Sequence, residues 1–377
     1  MSEPEGRGAA GDTTPAVLAI DGGNSKTEVA LVAADGTLLA QVRGGGSNWQ
    51  IIGLDEAFAL LTGLVQAAAA QAGLSGGPGG LVARHTSACL AGADLPEEEQ
   101  QLTDLVQEQG WSESGLVVND TFAVLRAGLA DDAGTAAHWG IGVTCGAGIN
   151  CVGVAPDGRT TRFLSLGDIS GDWGGGGDLA SESLWWAVRA EDGRGPETEL
   201  RAAVPGHFGL PSVRDVAIAV YREKITRSDL HGLVPVLFEV AGRGDRVAGE
   251  LIRRQATEIC VMATVAARRL GLTRERVPVI LGGSLLTARH PLLSSALTEQ
   301  LAAELTQAIP LVVDVPPVAG AALLGLDHVG AAPGAGRRLR GCYAAGAYPP
   351  ARLADQPVAR ARRWAATRSR VAQRDEQ

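Results

Sequence analysis

The sequence predicts an α/β fold made of two related domains, and three observations support this prediction. Within residues 17–42, an apolar strand leads into a glycine-rich turn that is followed by two further strands. Within residues 139–166, the same order of strand, glycine-rich turn and two strands occurs again. The chain has 377 residues, which is the length expected of two such domains.

The first glycine-rich turn is DGGNSKT at 21–27, directly after the apolar run 17–20. An acidic residue at a strand end, followed by glycines and small polar residues, forms a turn whose backbone N–H groups can face a phosphate. Lys26 is one of two lysines among 33 basic residues. Residues 27–32 and 37–42 read as strands, whereas a P-loop or a Rossmann loop opens a helix. We therefore predict a phosphate turn between two strands; a purely structural hairpin is the alternative.

The second unit repeats the first. A glycine-rich strand at 139–145 leads into the turn 146–148, and strands follow at 150–155 and 160–166. Asp-Gly follows a strand in both units, as LVAADGT and as GVAPDGR. Two phosphate turns, each opening its own half, predict two related domains with a nucleotide held between them. The alternative is that such hairpins recur by chance, as they do in many α/β proteins.

A carboxylate lies at the end of a further predicted strand. Residues 115–119 form a short apolar strand that ends at Asn119-Asp120, and residues 121–129 have a helical pattern. The Asp120 side chain therefore projects from the carboxyl end of a strand, where open α/β sheets bind ligands.

Two segments nearer the C-terminus bear on the same cleft. The apolar strand 277–281 runs into Gly282-Gly283-Ser284, where missing side chains let a flat purine and its ribose approach the backbone. Residues 318–326 are rich in small side chains and predict a helix suited to close packing between domains.

With these five segments in family order, the chain resembles the superfamily of sugar kinases, heat-shock chaperones and actin. Within it, the chain is similar to the N-acetylglucosamine kinase and BadF/BadG/BcrA/BcrD ATPase family over roughly residues 16–330. The resemblance implies two actin-like (ribonuclease H-like) domains with a nucleotide cleft between them, and the use of ATP and Mg²⁺.

The resemblance also implies a role for each motif. Asp21 lies near the magnesium ion through water, and Asp120 is the base that takes the proton from the sugar hydroxyl. The implied nucleotide-binding residues are Gly22, Gly23, Asn24, Ser25, Lys26, Thr27, Thr144, Gly146, Ala147, Gly148, Gly282, Gly283 and Ser284. The implied sugar-binding residues are Ser47, Asn48, Trp49, Asn119, Asp168 and Asp172.

Two motifs depart from the family pattern. The second phosphate loop commonly reads Gly-Thr-Gly-Ser, and Ala147 and Ile149 remove both hydroxyls here, leaving Thr144 as a nearby one. The family's Gly-Asp-Glu-Gly-Ser sugar segment, matched at 167–171, has lost its glutamate, and Asp172, a tryptophan and four glycines follow.

The second departure bears on the substrate, which the resemblance gives as an amino sugar phosphorylated on its 6-hydroxyl. Asp168 and Asp172 are two carboxylates within five residues, and they suit the protonated amine of free glucosamine. The sequence therefore favours glucosamine over N-acetylglucosamine. The alternative is that Asp172 caps the helix near Asp178 or faces solvent.

Two other functions compete with a kinase. An ATPase activator of a radical dehydratase needs cysteines placed to hold a shared iron–sulfur cluster, and the five cysteines show no such pattern. A non-catalytic sugar sensor usually carries a DNA-binding segment before the kinase-like fold, and about 15 residues precede the first predicted strand. The presence of Asp120 also favours an enzyme.

Composition predicts a cytoplasmic protein without nucleic-acid or membrane partners. The net charge of −9 and the pI of about 5.3 give no electrostatic reason to expect nucleic acid. No apolar run approaches the ~20 residues of a membrane span. The scattered cysteines read as reduced thiols. We also expect a homodimer.

The predicted domains are an N-terminal actin-like domain at 16–131, with the sugar loop, and a larger C-terminal one at 132–330. They are flanked by a flexible N-terminus, 1–15, and by an arginine-rich extension, 331–377. The extension carries ten arginines against three acidic residues. It is expected to be flexible or to pack back on the acidic body; binding of an anionic partner is the alternative.

Overall fold

The computed structural model describes residues 15–74, 80–131 and 138–344, together with strand residues 351–352. Residues 1–14 of the predicted flexible N-terminus and most of the arginine-rich extension lie outside this description. The strands of the described chain are β1 (Pro15–Gly22), β2 (Thr27–Ala33), β3 (Leu38–Gly44), β4 (Ala83–Leu90), β5 (Ser112–Asn119), β6 (Gly140–Cys145), β7 (Ile149–Val154), β8 (Thr160–Arg162), β9 (Pro278–Gly282), β10 (Ile309–Val312) and β11 (Ala351–Arg352). The helices are α1 (Trp49–Ile52), α2 (Leu54–Gln71), α3 (Pro96–Glu108), α4 (Asp120–Gly128), α5 (Gly176–Glu191), α6 (Leu200–Phe208), α7 (Val213–Tyr221), α8 (Arg227–Leu230), α9 (Leu233–Gly242), α10 (Arg246–Leu270), α11 (Ser284–Thr287), α12 (Pro291–Glu304), α13 (Pro317–His328) and α14 (Ala335–Ala344).

The strands form two sheets with the same internal order. In the first sheet, the order is β11-β3-β2-β1-β4-β5, and in the second it is β8-β7-β6-β9-β10. Each sheet opens with two antiparallel pairings, β1–β2–β3 or β6–β7–β8, and continues with parallel strands. The predicted α/β fold with two related halves is therefore confirmed.

The first sheet is covered by helices on both faces. β1 is buried at every residue, which explains its continuous apolar run. Leu18 and Ile20 pack in one core with α2 and α3. Val17 and Ala19 pack on the opposite face with α13 and α14.

The second sheet packs against the long helix α10. This helix buries a face of apolar and small side chains against β6 and β7, and α5, α9 and α12 extend the same core. Within the described residues, no helix is both long enough and apolar enough to cross a membrane.

Helix α4 lies between the two halves. Val124 and Leu125 pack with Ile280 of the second sheet, and Ala123 packs in the core of the first. α13 crosses α4 closely, because a Cβ on Gly320 would lie 1.9 Å from the Ala123 carbonyl oxygen. The close packing predicted for the small-residue helix at 318–326 is thus present.

The chain returns to the first sheet at its C-terminal end. α13 and α14 cover β1 and β2, although the sequence placed residues up to 330 in the second domain. Arg338 of α14 lies 2.8 Å from Asp35, so this part of the extension packs back on the body. We propose that the second domain ends before α13, because the apolar face of β1 needs this helix as its cover.

One predicted strand is shorter than expected. β8 ends at Arg162, whereas the sequence predicted a strand over 160–166. Ser165 has a φ of 54° and Gly167 a φ of 67°. These left-handed conformations prevent the strand from continuing to residue 166 and lead into the short 3₁₀ helix Gly167–Ile169.

Candidate active site

The first glycine turn is held against the predicted sugar loop. The Gly23 N–H donates to the Lys26 carbonyl (2.9 Å), and the Ser47 N–H donates to the Gly23 carbonyl (3.1 Å). The Thr27 hydroxyl donates to Ser47 Oγ at 2.8 Å. A Cβ on Gly22 would lie 2.7 Å from Ser47 Oγ and 2.6 Å from a Leu90 methyl group. A side chain at Gly22 would require these neighbouring atoms to move, so the turn needs glycine there.

The rest of the sugar loop is tied to the same turn. The Asn48 amide donates to Asn24 Oδ1 at 2.7 Å, and Asn48 Oδ1 accepts the Gln50 N–H at 2.9 Å, which caps α1. The Trp49 indole donates to the Gly92 carbonyl at 2.9 Å. Predicted phosphate and sugar residues of the first half therefore form one connected unit.

The second glycine turn is supported by the glycines that begin α5. The Gly176 N–H donates to the Gly146 carbonyl at 2.7 Å, and the Gly177 N–H donates to the Ala147 carbonyl at 2.9 Å. A Cβ on Gly175 would lie 2.5 Å from Gly148 Cα. The glycine run that follows the predicted sugar segment thus lies against the predicted second phosphate loop.

The predicted adenosine loop reaches the same place. A Cβ on Gly283 would lie 2.4 Å from the Cys145 carbonyl oxygen, and one on Gly146 would lie 3.7 Å from Ser284 Oγ. The Thr144 hydroxyl is buried and has no hydrogen-bond partner. Bare backbone and an unpaired hydroxyl suit a nucleotide, whose phosphate oxygens accept hydrogen bonds.

Asp21 lies near the end of β1, and Asp120 directly follows β5 of the same sheet. Burial raises the pKa of Asp21 to about 8, with further contributions from the charges of Asp120 and Glu28. Burial also raises the pKa of Asp120 to about 6, while hydrogen bonds from Thr121 lower it. Carboxylates that repel each other in a poorly solvated place are stabilised by a divalent cation. These residues therefore fit Mg²⁺.

Lys26 points along the turn toward a buried carboxylate. Its Nζ lies 3.8 Å from Glu28 Oε1, and Glu28 also pairs with Arg43. Nearly half of the Lys26 side chain is exposed (45%). The Lys26 ammonium is therefore partly solvated, and it pairs with Glu28.

Asn119 connects Asp120 to both halves of the protein. Its Oδ1 accepts the Thr121 N–H at 3.0 Å, which caps α4, and also accepts the Asn150 amide at 3.1 Å. Its own amide donates to Asp94 Oδ1 at 2.9 Å. Burial, followed by the charges of Asp120 and Glu98, raises the pKa of Asp94 to about 7.

Asp94 is a site residue that the sequence analysis missed. It lies four residues after Leu90, where β4 ends, whereas Asp120 directly follows β5, so an acidic residue shortly after a strand was the available signal. The mixed composition of β4, ARHTSACL, concealed that strand. A cavity of about 260 Å³ between the halves is lined by Asp94 on one side and by Arg162 and Asp172 on the other.

The two aspartates of the predicted sugar segment face different cavities. Asp172 lines the cavity with Asp94 and accepts the Ser170 hydroxyl at 2.5 Å. Asp168 is exposed and lines a separate cavity of about 560 Å³ beside Trp173 and Arg254. The structure therefore does not bring Asp168 and Asp172 together. The alternative interpretation, in which Asp172 caps the helix near Asp178, also differs from the structure. The N-cap residue of that helix, α5, is Gly175, and no side chain makes a capping hydrogen bond there.

Comparison with known proteins identifies the family of the chain. The model of the BadF/BadG/BcrA/BcrD ATPase family matches residues 18–325. The chain belongs to this family. An N-acetylmuramic acid/N-acetylglucosamine kinase from Clostridium acetobutylicum is 26% identical over 272 residues, covering 72% of this chain and 85% of the relative. An N-acetyl-D-glucosamine kinase from Dictyostelium discoideum is 26% identical over 320 residues, covering 82% and 97%.

The fold of this BadF/BadG/BcrA/BcrD ATPase family member is also found among solved structures. A structure from Chromobacterium violaceum, described as a candidate N-acetylglucosamine kinase, superposes with a TM-score of 0.63 at 24% identity, covering 83% of this chain and 99% of the other. The predicted actin-like fold is therefore confirmed.

Proposed function

We propose that the protein is an ATP-dependent kinase that phosphorylates the 6-hydroxyl of an amino sugar, and that its substrate is glucosamine. The observation that carries this proposal is the position of Asp120. Its charge acts on Asp21, which comes directly before the first glycine turn, and the preceding Asn119 donates to Asp94 of the 260 Å³ cavity. A base between a phosphate cradle and a sugar-sized polar cavity is what phosphoryl transfer to a hydroxyl requires.

Asp120 acts as the base in this proposal. It orients the sugar's 6-hydroxyl and accepts its proton as the oxygen attacks the terminal phosphorus of ATP. The bond between that phosphorus and the bridging oxygen breaks, and ADP leaves. The pKa of about 6 keeps the carboxyl ionised near neutral pH while leaving it basic enough to take a proton. General-base catalysis of this kind typically contributes about 10²–10⁴-fold.

The two glycine turns orient ATP through backbone N–H groups. The N–H groups of Gly23 and Gly146 are already bonded within their turns. Residues 24–26 therefore contribute N–H groups from the first half, and Ala147 and Gly148 contribute them from the second. Asp21 would hold Mg²⁺ through water, and the ion would neutralise charge that develops on the phosphate oxygens. Because the turns belong to different halves, closure of the halves aligns ATP with the sugar and excludes water.

The choice of glucosamine rests on the charges of the 260 Å³ cavity. Asp94 and Asp172 approach it from opposite halves, and both can accept hydrogen bonds from an ammonium group. Two arginines also line it, but Arg162 is paired with Glu99, and Arg269 stacks on Phe163 and donates to a carbonyl. The arginines are therefore already engaged, which leaves the carboxylates for the protonated amine.

N-acetylglucosamine is the alternative substrate. The two curated relatives are named as kinases of N-acetylated amino sugars, which favours it. An activator of a radical dehydratase is less consistent with the structure. Four of the five free cysteines are buried and the other is half-buried, so none is freely exposed to share a cluster across an interface. A cytoplasmic homodimer stays a prediction.

A turnover panel tests the proposal. ADP formation is measured with glucosamine, N-acetylglucosamine, glucose and mannosamine, for the wild type and for Asp172→Ala. Asp168→Ala is the matched control, because it removes a carboxylate of the same segment that faces the other cavity. We expect a preference for glucosamine, and a rise in its KM of about 10-fold or more for Asp172→Ala only. A clear preference for N-acetylglucosamine would overturn the substrate.

A further inference from the structure

We propose that Arg340, in the C-terminal extension, is a positioning residue for the catalytic base. It acts by capping the far end of helix α4, whose first residue is Asp120. The inference rests on the assignment of Asp120 as the base. The family match ends at residue 325, so Arg340 lies in a part of the chain that the shared family pattern does not cover.

The guanidinium of Arg340 binds the end of α4 through several hydrogen bonds. Nη1 donates to the Ala127 carbonyl at 2.5 Å, and Nη2 donates to the carbonyls of Leu129 (2.5 Å) and Arg126 (3.1 Å). Nε donates to Asp131 Oδ2 at 2.5 Å. The planar fork of arginine can make this set of bonds at once, whereas lysine cannot.

α4 lacks the usual local ending. The last carbonyls of a helix have no partners within the helix, and a glycine in a left-handed conformation commonly satisfies them. Here the helix is followed by Leu129 in an extended conformation. Arg340 supplies the missing donors from a distant part of the chain, and its positive charge also suits the negative end of the helix dipole.

Arg340 is itself firmly placed. α14 buries Leu339 completely in the core of the first sheet. A Cβ on Gly336 would lie 2.6 Å from the Asp131 carboxyl carbon, and one on Gly36 would lie 2.0 Å from the Ala335 carbonyl oxygen. The helix therefore approaches both the β2–β3 turn and the end of α4 closely.

A second arginine strengthens the same end of α4. Arg126 is almost fully buried and pairs with Asp131 at 2.6 Å and with Asp327 of α13 at 2.7 Å. Asp131 thus receives Arg126 and Arg340 together, so α4, α13 and α14 are joined where α4 ends.

The consequence concerns the opposite end of the helix. α4 has nine residues and spans about 13 Å at 1.5 Å per residue, so a rigid helix transmits a shift at its C-terminal end to Asp120. Misplacement of a catalytic group by about 1 Å can cost about 10²-fold in rate. Loss of Arg340 should therefore lower kcat while the nucleotide turns, which lie on other elements, keep their affinity.

The test compares Arg340→Ala with Arg338→Ala in the full-length protein. Arg338 is on the same helix, and its ion pair with Asp35 is largely exposed, so its loss should change little. We expect kcat for Arg340→Ala to fall about 10-fold, with the KM for ATP within about twofold of the wild type. Added guanidinium at low millimolar concentration should restore part of kcat for Arg340→Ala alone.

If Arg340→Ala does not fold, Arg340→Lys provides the test. It keeps the charge but loses the fork, and we expect an intermediate kcat with a wild-type KM for ATP. If Arg340→Ala or Arg340→Lys has the kcat of Arg338→Ala, the positioning role is wrong. The positioning role is also wrong if the KM for ATP and kcat change together and added guanidinium does not restore kcat. If the wild type phosphorylates no sugar, the proposed function fails instead.

Discussion

Arg162 and Glu99 join the two halves of the protein directly beside the candidate base. Arg162 Nη1 at the end of β8 lies 2.6 Å from Glu99 Oε1 on α3. The same Glu99 oxygen accepts the backbone N–H of Asn119 at 3.0 Å. An ion pair between the halves is therefore bonded to the backbone immediately before Asp120.

Breaking this pair should weaken sugar binding. We expect Arg162→Ala and Glu99→Gln each to raise the KM for the sugar by roughly 5- to 10-fold, because the pair is mostly buried and holds both walls of the cavity. The KM of the double variant for the sugar should not exceed that of the more impaired single variant. Arg159→Ala is the control, since its pair with Asp157 on the same hairpin is exposed. Fully additive effects in steady-state kinetics would contradict the coupling.

Replacing the base should affect turnover alone. Asp120→Asn keeps the shape of the side chain but removes the proton acceptor. We expect kcat to fall by about 10²-fold or more, with unchanged ATP affinity because the glycine turns are intact. A coupled ADP assay and calorimetry measure the two quantities. Near wild-type turnover would show that Asp120 is not the base.

Side chains introduced into the first phosphate turn should impair nucleotide binding. A Cβ on Gly22 meets Ser47 and Leu90, and one on Gly23 lies 3.2 Å from the Lys26 carbonyl oxygen. We expect Gly22→Val and Gly23→Val to weaken ATP binding about 10-fold or more. Lys26→Ala should weaken it less, since the backbone donors remain.

Gly63→Ala provides the matched control for these variants. It lies in α2, where an added Cβ would meet nothing within 4 Å, so its nucleotide affinity should equal that of the wild type. Calorimetry with a non-hydrolysable ATP analogue makes the comparison. Unchanged nucleotide affinity in both valine variants would show that the phosphate site lies elsewhere in the protein.

Removing the Asp21 carboxylate should stabilise the protein at higher pH when divalent cations are chelated. Its folded-state pKa of about 8 exceeds the ordinary value of 3.8. The folded state therefore holds this proton more tightly, and stability falls as pH rises from about 4 towards 8. Asp21→Asn lacks this loss, so its advantage in unfolding free energy should grow to about 1 kcal/mol or more near pH 8. An advantage that is equal at pH 5 and pH 8 would contradict the pKa shift.

The sequence predicted the two hairpin units and the place of Asp120 because these features are local. A strand, its turn and the next strand lie within about 25 residues, and burial of β1 at every residue leaves a continuous apolar run in the sequence. The same local signals identified Gly22 and Gly283, where an added Cβ would lie less than 3 Å from a neighbouring atom.

Other parts of the site depend on contacts between distant segments. Asp94 reaches Asn119 from another strand, and Arg340 reaches α4 from more than 200 residues away. The separation of Asp168 from Asp172 depends on the turn at Gly167 and on Gly171, both with positive φ. Sequence proximity does not reveal which way such a turn directs each carboxylate.

The most direct test of the central claim is identification of the product by phosphorus NMR. The wild type is incubated with ATP, Mg²⁺ and glucosamine, with Asp120→Asn as the inactive control. We predict that glucosamine 6-phosphate accumulates in step with ADP in the wild type and is nearly absent in the variant. Hydrolysis of ATP to ADP and inorganic phosphate, with no phosphorylated sugar from glucosamine or N-acetylglucosamine, would contradict the account.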